Sequence, residues 1–383
     1  MFKKREYENF SNNDYGYFLL GADVGGTNTF FGIFGVKKNK LELLVSFHFK
    51  SKGLESIYDA VNEVLNDAKK SYGIELTKAS IAVAGALSNK KDSVRMTNAK
   101  LSITKQDLLR KTKLKNVILL NDFEAVGYGI NMLAKKDIFI LKKAKKLPKA
   151  TMLVVGAGTG LGKTTLVYNE HIKSYVSMPS EAGHTDFAPQ NQEELEIANH
   201  IKKIKKTSNV GYEDLVSGKG IENIYSFLRK NRYFKETKRT REIDKAQNKA
   251  KLISLYRTKD KTCKKTFEIF RNAYARFARN FALDTWSLGG VYIAGGIAPK
   301  NKDMFDKSFI SLFIACSSKP FFSNSSITPS SPILSSLSID LNTSTILFSS
   351  IPIERTSFSI NFLLFILTKY FLKPSFCRQL HAT

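Results

Sequence analysis

Along the first third of the chain, apolar residues come in short dense runs separated by polar turns. Tyr17–Ala22, Thr29–Val36 and Leu41–Lys50 read as three successive strands, the last two joined by the turn-like Lys-Lys-Asn-Lys stretch at 37–40. The period then changes. Leu54, Ile57, Ala60, Val61, Val64 and Leu65 recur at helical spacing and predict a helix over Leu54–Lys70. Strands return at Ala79–Ala84 and Val117–Leu120. Meandering strands followed by crossover helices and more strands predict a mixed sheet with helices on its faces.

From Thr151 the same arrangement recurs. Thr-Met-Leu-Val-Val is an apolar strand, Gly156–Gly162 a glycine turn, and Lys163–Tyr168 a second strand leading through Asn169-Glu170 into His171–Val176. Strand, glycine turn and strand, repeated about 130 residues apart, predict two similarly built domains whose turns face a common cleft. Phe267, Phe270, Tyr274, Phe277 and Phe281 alternate spacings of three and four and read as the core stripe of a helix, ahead of a strand at Gly290–Ala294.

With 383 residues, 43% hydrophobic and 25% charged, the chain has the size and composition of a two-domain globular protein. Its three cysteines, Cys263, Cys316 and Cys377, are far apart and suit neither a disulfide framework nor a zinc cluster. The first fifteen residues form a polar, charged extension without the apolar core of a signal peptide, so a cytoplasmic location is expected. The longest apolar run, Phe362–Leu367, is too short to span a bilayer, and no membrane partner is expected. All 23 glycines lie between Gly16 and Gly296, and from Ser311 onward 17 of 73 residues are serine. The expected organisation is therefore an extension at 1–15, a small α/β domain at 16–121, a large α/β domain at 122–310, and an atypical tail at 311–383. The tail reads as a shifted-frame or otherwise aberrant end, with a genuine partner-binding extension as the alternative.

Candidate chemistry gathers at strand ends. Asp23-Val24-Gly25-Gly26-Thr27-Asn28 lies between two strands, and its backbone N–H groups can approach phosphate oxygens. Asp23 either holds Mg²⁺ through water or is an ordinary acceptor in a β-turn. The Gly-Lys-Thr ending of Gly156–Thr164 invites a P-loop reading, but a P-loop opens a helix, and the residues that follow look like a hairpin. Asn121-Asp122 follows the strand Val-Ile-Leu-Leu, where α/β proteins place ligands; Asp122 is either a base for a substrate hydroxyl or a helix N-cap. Pro179–Phe187 concentrates hydrogen-bonding groups, with Glu181 and His184 able to face a polyol, and it is a poor zinc site. Standing alone, Glu213 is a polar residue beside a helix and Gly295-Gly296 a turn.

Taken in order, GADVGGTN, AVAGALSN, RMTNA, LLNDFEAVGYGI, VVGAGTGLG, PSEAGHTDFAP, YEDLVSGKGIENIY and GGVYIAGGIAP resemble the bacterial-type glucokinase family, from about Tyr17 to about Asp306. The related repressor/open-reading-frame kinases share an ExGH element, but their zinc-binding cysteines are absent here. The resemblance implies two ribonuclease H-like (actin-like ATPase) domains with mixed sheets flanking a cleft. It implies ATP-dependent phosphorylation of glucose at the 6-hydroxyl, the opening step of glycolysis, with ATP and Mg²⁺ as cofactors. Asp23, Gly25, Gly26, Thr27 and Asn28 match the first phosphate segment, with Asp23 toward the metal. Gly156, Gly158, Thr159 and Gly160 match the second, and Gly295 and Gly296 the segment beside the adenosine. Asn121, Asp122, Glu181, His184 and Glu213 match the glucose-binding residues, with Asp122 in the place of the catalytic base. The resemblance leaves a homodimer open and implies hinge closure over the substrates.

Ser311 onward departs from the family, which continues into further helix and strand. Two other readings attach to the chain: a kinase of another hexose, and a sugar-binding pseudoenzyme with a nucleic-acid-binding face. The second is prompted by the net charge of +26 and by Arg229–Lys265, where fifteen Lys/Arg face four Asp/Glu. Without a helix-turn-helix ahead of Tyr17 or a zinc finger, that stretch reads as a solvated lysine-rich face.

Overall fold

The computed structural model describes residues 2–7, 9–38, 40–96, 102–131, 133, 138–144, 146–315 and 346–349. These fall into two compact units, one built on Met1–Lys135 with Asn169–Pro179, the other on Lys136–Tyr168 with Ser180–Ser350.

In the first unit the chain runs through β1 (Lys3–Glu6), β2 (Tyr17–Val24), β3 (Asn28–Lys37), β4 (Lys40–Lys50), α1 (Ile57–Tyr72) and β5 (Lys78–Val83). A small antiparallel sheet follows, β6 (Gly85–Leu87), β7 (Ser93–Met96) and β8 (Ser102–Thr104), then α2 (Lys105–Lys111), β9 (Asn116–Asn121) and α3 (Asp122–Ile130). The main sheet has the order β1-β4-β3-β2-β5-β9. Strands β1 to β4 pair antiparallel, while β2, β5 and β9 run parallel, so the predicted mixed sheet is present.

Strand β3 is buried on both faces over most of its length because Phe31, Ile33, Phe34 and Val36 leave almost no polar face. Helix α1 buries Ile57, Ala60, Val61, Val64, Leu65 and Ala68, the positions its period singles out. It starts at Ile57 rather than Leu54, because Ser51–Gly53 forms a 3-10 turn and the Ser56 hydroxyl accepts from Tyr58 N to cap the helix.

The polar N-terminal residues are part of the sheet. β1 pairs antiparallel with β4 from Lys3↔His48 to Glu6↔Val45, and the Phe2 ring lies 5.2 Å from Phe47 and 5.3 Å from Phe49. Lys4 Nζ lies 2.9 Å from Asp67 Oδ2 on α1. The sequence pattern hid this strand because an edge strand keeps its side chains in water, and all four residues of β1 are exposed.

The second unit contains β10 (Ile138–Lys142), β11 (Met152–Ala157) and β12 (Leu161–Asn169), after which the chain continues into β13 (Ser174–Ser180). Then come α4 (Gln192–Lys205), α5 (Gly218–Lys230), α6 (Lys238–Lys245), α7 (Lys249–Tyr256), α8 (Lys261–Asp284), β14 (Gly290–Ala294), α9 (Lys307–Ile314) and β15 (Ile346–Ser349). Its strands are ordered β10-β15-β14-β11-β12, with β14 parallel to β11 and β12 antiparallel to it. The aromatic stripe of α8 is core: Phe267, Phe270, Tyr274 and Phe277 are buried with Leu153 and Val155 of β11 and Val291 and Ile293 of β14. Tyr274 hydroxyl accepts from Ala157 N at 3.2 Å, which fixes the end of β11.

β13 begins at Ser174, later than the predicted strand from His171, because Asn169 Oδ1 accepts from His171 N and Ile172 N and closes an Asx turn. In the basic stretch Arg229 pairs with Asp244 and Glu236, so part of its charge is compensated internally. Packing continues past Ser311, since Phe309 and Phe313 of α9 are buried one turn apart. Most of the tail at 311–383 lies outside the described residues; within it, Ile346–Ser349 pairs parallel with β14 and antiparallel with β10.

Deleting residues 1–9 uncovers the β4 edge and the Phe47 and Phe49 rings. The expected cost is about 2 kcal/mol, a fall of about 4–8 °C in Tm. An unchanged melting curve would show that β1 adds nothing to the unit.

Candidate functional site

In the first unit the site residues follow from the parallel strands. Val24 of β2, Val83 of β5 and Asn121 of β9 stand in one cross-strand row. The carboxyl ends of three neighbouring strands therefore meet at one sheet edge, where α/β folds accept ligands. Asp23 is half-buried one position before that row and pairs in register with Phe30 and Ala82.

The turn after Asp23 is tightly held. Gly25 N donates to Asn28 O at 3.1 Å, Ser51 Oγ to Gly25 O at 2.6 Å, and Ser51 N to Thr27 O at 3.0 Å. Lys50 Nζ lies 2.9 Å and His48 Nε2 3.0 Å from Asn28 Oδ1. The His48 ring stacks on Phe30, and burial together with Lys50 and Lys3 pushes its pKa down. The imidazole is thus neutral at neutral pH, and an amide oxygen as partner assigns the proton to Nε2. Asn28 is engaged in rigidifying the turn, while Thr27 is exposed at its tip.

At the end of β9 the capping reading belongs to Asn121, not Asp122. Asn121 Oδ1 accepts from Phe123 N at 2.9 Å and Glu124 N at 3.1 Å, and its Nδ2 donates to Gly85 O at 3.0 Å. Asp122 is the first residue of α3 and is half-buried. Packing of Ala125 and Tyr128 on Ala82 and Leu120 fixes the helix.

Two residues on, Glu124 is fully buried, with Lys91 Nζ 2.9 Å from its Oε1 and no partner for Oε2 among the described residues. Burial pushes this carboxyl above the ordinary range against the opposing pull of Lys91. The sequence reading passed over Glu124 and Lys91; a second acid, two residues after Asp122 in the first turn of a short apolar helix, was the available signal.

In the second unit, Gly158 N donates to Gly160 O at 2.8 Å and closes the turn between β11 and β12. Gly162-Lys163-Thr164 lies inside β12, so the segment opens a strand and the P-loop reading is excluded. Gly218 N at the start of α5 donates to Gly158 O at 2.8 Å, with Ser217 Oγ capping the helix through Gly220 N. Gly295 has φ +83°, and a Cβ there would stand 2.5 Å from Ala157 O. Ile297 N donates to that same carbonyl. Three segments, 156–160, 217–220 and 295–297, thus meet within the unit. The sequence reading gave roles to the first and third and none to Ser217–Gly220, which entered it only within the YEDLVSGKGIENIY motif; the signal was Ser217 as the cap of an amphipathic helix.

Glu181 precedes a 3-10 turn, Ala182–His184, that ends on His184; their side chains are 67% and 61% exposed, with His184 Nε2 3.8 Å from Glu181 Oε2. Glu213 stands on another 3-10 turn, Tyr212–Asp214. The two are stitched together by Tyr212 N to Thr185 O at 3.0 Å and Phe187 N to Val210 O at 2.8 Å. Glu213 Oε2 accepts from Leu161 N at 2.8 Å, at the start of β12. The sugar-type residues of this unit are therefore brought beside its glycine turn. Of the Arg-Met-Thr-Asn-Ala segment, Thr97–Ala99 lies outside the described residues.

Among the described residues there is no group of three or more His, Cys, Asp or Glu arranged to hold a metal, and no helix long and apolar enough to cross a membrane.

Solved structures share this fold. A glucokinase of Balamuthia mandrillaris in complex with glucose superposes with a TM-score of 0.71 over 91% of this chain and 92% of that one, at 20% identity. A ROK family glucokinase of Streptomyces griseus in complex with glucose and AMPPNP gives 0.58 over 91% and 98%, at 16% identity. The fold is that of the actin-like ATPases. The family model described as Glucokinase matches residues 20–323. A curated glucokinase of Trichormus variabilis is 31% identical over 304 residues, 76% of this chain and 87% of that protein. The chain belongs to the glucokinase family.

The raised carboxyl of Glu124 has a definite sign in stability. Its contribution is present in full below the unfolded value near 4.5 and is lost as pH rises through the raised folded value. Glu124→Gln should therefore gain on the parent as pH climbs from about 4.5 to 7 in chemical unfolding. Lys91→Met should lose about 2 kcal/mol at pH 7 and less at pH 4.5. Parallel pH curves for parent and Glu124→Gln would refute the raised carboxyl.

Proposed function

We propose that this chain phosphorylates glucose at the 6-hydroxyl, with ATP as donor and Asp122 as base. The observation that carries the reading is at the end of β9: Asn121 caps α3, so Asp122 stands at the helix N-terminus without the capping task. The helix N-terminus favours the ionised carboxylate, the form a base requires. In the reaction O6 attacks the γ-phosphorus, the bond from that phosphorus to the β,γ-bridging oxygen breaks, ADP departs, and the hydroxyl proton passes to Asp122. Little covalent work falls to the protein, so positioning supplies most of the rate.

Asn121, Glu181, His184 and Glu213 bind the sugar hydroxyls in this reading. In this reading the segments Gly25, Gly26, Thr27 and Asn28, and Gly156, Gly158, Thr159 and Gly160, lie against the phosphates, with Gly295 and Gly296 beside the adenosine; Gly25 N–H and Gly158 N–H keep the two turns closed by donating to Asn28 O and Gly160 O. The donor set fits Mg²⁺. A single carboxylate, Asp23, beside a phosphate turn, without a cage of acids among the described residues, suits an ion that brings its own waters and sits mainly on the triphosphate. Asp23 would hold it through water, and its charge would offset that of the phosphates when bound. A cytoplasmic location accords with this chemistry.

The test is mass-spectrometric detection of hexose 6-phosphate after incubation with Mg-ATP and glucose, mannose, fructose or N-acetylglucosamine. Product is expected from glucose. Asp122→Asn should lower kcat by more than about 100-fold while glucose affinity stays within about tenfold, under about 1.4 kcal/mol. Undiminished turnover in that variant would refute the base assignment, and phosphorylation of another hexose alone would overturn the substrate.

A further inference from the structure

Leu161, the first residue after the glycine turn, has its backbone held on both sides of its Cα. Its N–H donates to Glu213 Oε2 at 2.8 Å. Its carbonyl lies against Gly183, where a Cβ would come within 2.2 Å of the oxygen. Gly183 belongs to the turn that carries His184, and Glu213 to the turn stitched to it. The phosphate-type turn and the sugar-type turns therefore share one residue, Leu161, through its N–H and its carbonyl.

Gly160 completes the contact from the other direction. A Cβ there would stand 2.6 Å from Glu213 Oε2 and 3.4 Å from Glu213 Cδ. The Glu213 carboxylate thus occupies the space that any side chain at 160 would need. The absence of a side chain at 160 is therefore a requirement of Glu213, whose atoms are the three nearest to that Cβ position.

We propose that Glu213 is a positioning residue that couples the sugar to the phosphoryl donor: the carboxylate that binds glucose also sets the phosphate turn through Leu161 N–H. The inference rests on the kinase reading and deepens it. A sugar hydroxyl on Oε1 orders the Glu213 side chain, and an ordered Oε2 orders the Gly158–Gly160 turn. By linkage, a donor that orders the turn tightens the sugar by the same factor.

The test uses the full chain and steady-state kinetics on glucose and ATP. Gly160→Ala, a change in the nucleotide-type turn, should raise the glucose KM at least tenfold, because the new methyl displaces Glu213. Glu213→Asp keeps the charge but withdraws the acceptor from Leu161 N–H, so it should raise the ATP KM at least fivefold although Glu213 belongs to the sugar set. The two changes should be non-additive, since the shorter carboxylate makes room for the methyl. The double variant should then have a glucose KM no higher than Glu213→Asp alone.

A Gly160→Ala enzyme altered only in its ATP KM would overturn the coupling. So would a Glu213→Asp enzyme whose ATP KM matches the parent, which stands as a test even where Gly160→Ala fails to fold. Failure of the kinase reading is seen separately, as absence of hexose phosphate from the parent.

Discussion

Peptide groups at the ends of β2, β9 and β11 have no ladder partner beyond the strand, and the candidate residues of each unit are placed by how those groups are satisfied. At β2 the Gly25 and Thr27 carbonyls go to Ser51, which ties the turn to the end of β4. At β9 the first amides of α3 go to the Asn121 side chain. At β11 the Ala157 carbonyl receives Ile297 N–H and the Gly158 carbonyl receives Gly218 N–H. At β2 and β11 these bonds draw a second or third chain segment to the strand end, and at β9 the capping Asn121 also donates from Nδ2 to Gly85 O. The backbone requirement comes first, and the chemistry is arranged around it.

Two buried charges show what the fold tolerates to hold this arrangement. Glu194 accepts from the buried Arg276 at 2.8 Å with each oxygen, pinning α4 to α8, and it also accepts from Gln190 N. That carboxylate is well satisfied. Glu124 is not: it has one half-exposed lysine and an oxygen without a described partner, two residues from Asp122. Buried charge that is poorly compensated lowers stability and is a feature that sites retain for reasons other than packing.

Much of the fold was legible because its elements are regular. Strands β2, β3 and β4, helix α1 and the stripe of α8 follow from local apolar periods, and the hairpin after Gly160 was distinguishable from a P-loop because β-branched and aromatic residues follow it where a helix would have to begin. β1 escaped because exposed residues at an edge carry no period. The candidate residues were legible as a set through their order along the chain, and that order also carried the family.

The sequence alone determined which residue types stand at strand ends, since glycine and short polar side chains such as Asn, Asp and Ser favour turns and helix caps over continued strand. What each of those residues does for its neighbours was decided by tertiary structure. Asn121 caps α3 while Asp122 is its first residue, a division that spacing does not reveal. Glu213 meets Leu161 across 52 residues of chain, and Lys91 meets Glu124 across 33. No local pattern encodes such contacts, because a hydrogen bond is set by distance in space, and distance in space is fixed only when the intervening strands and helices have packed.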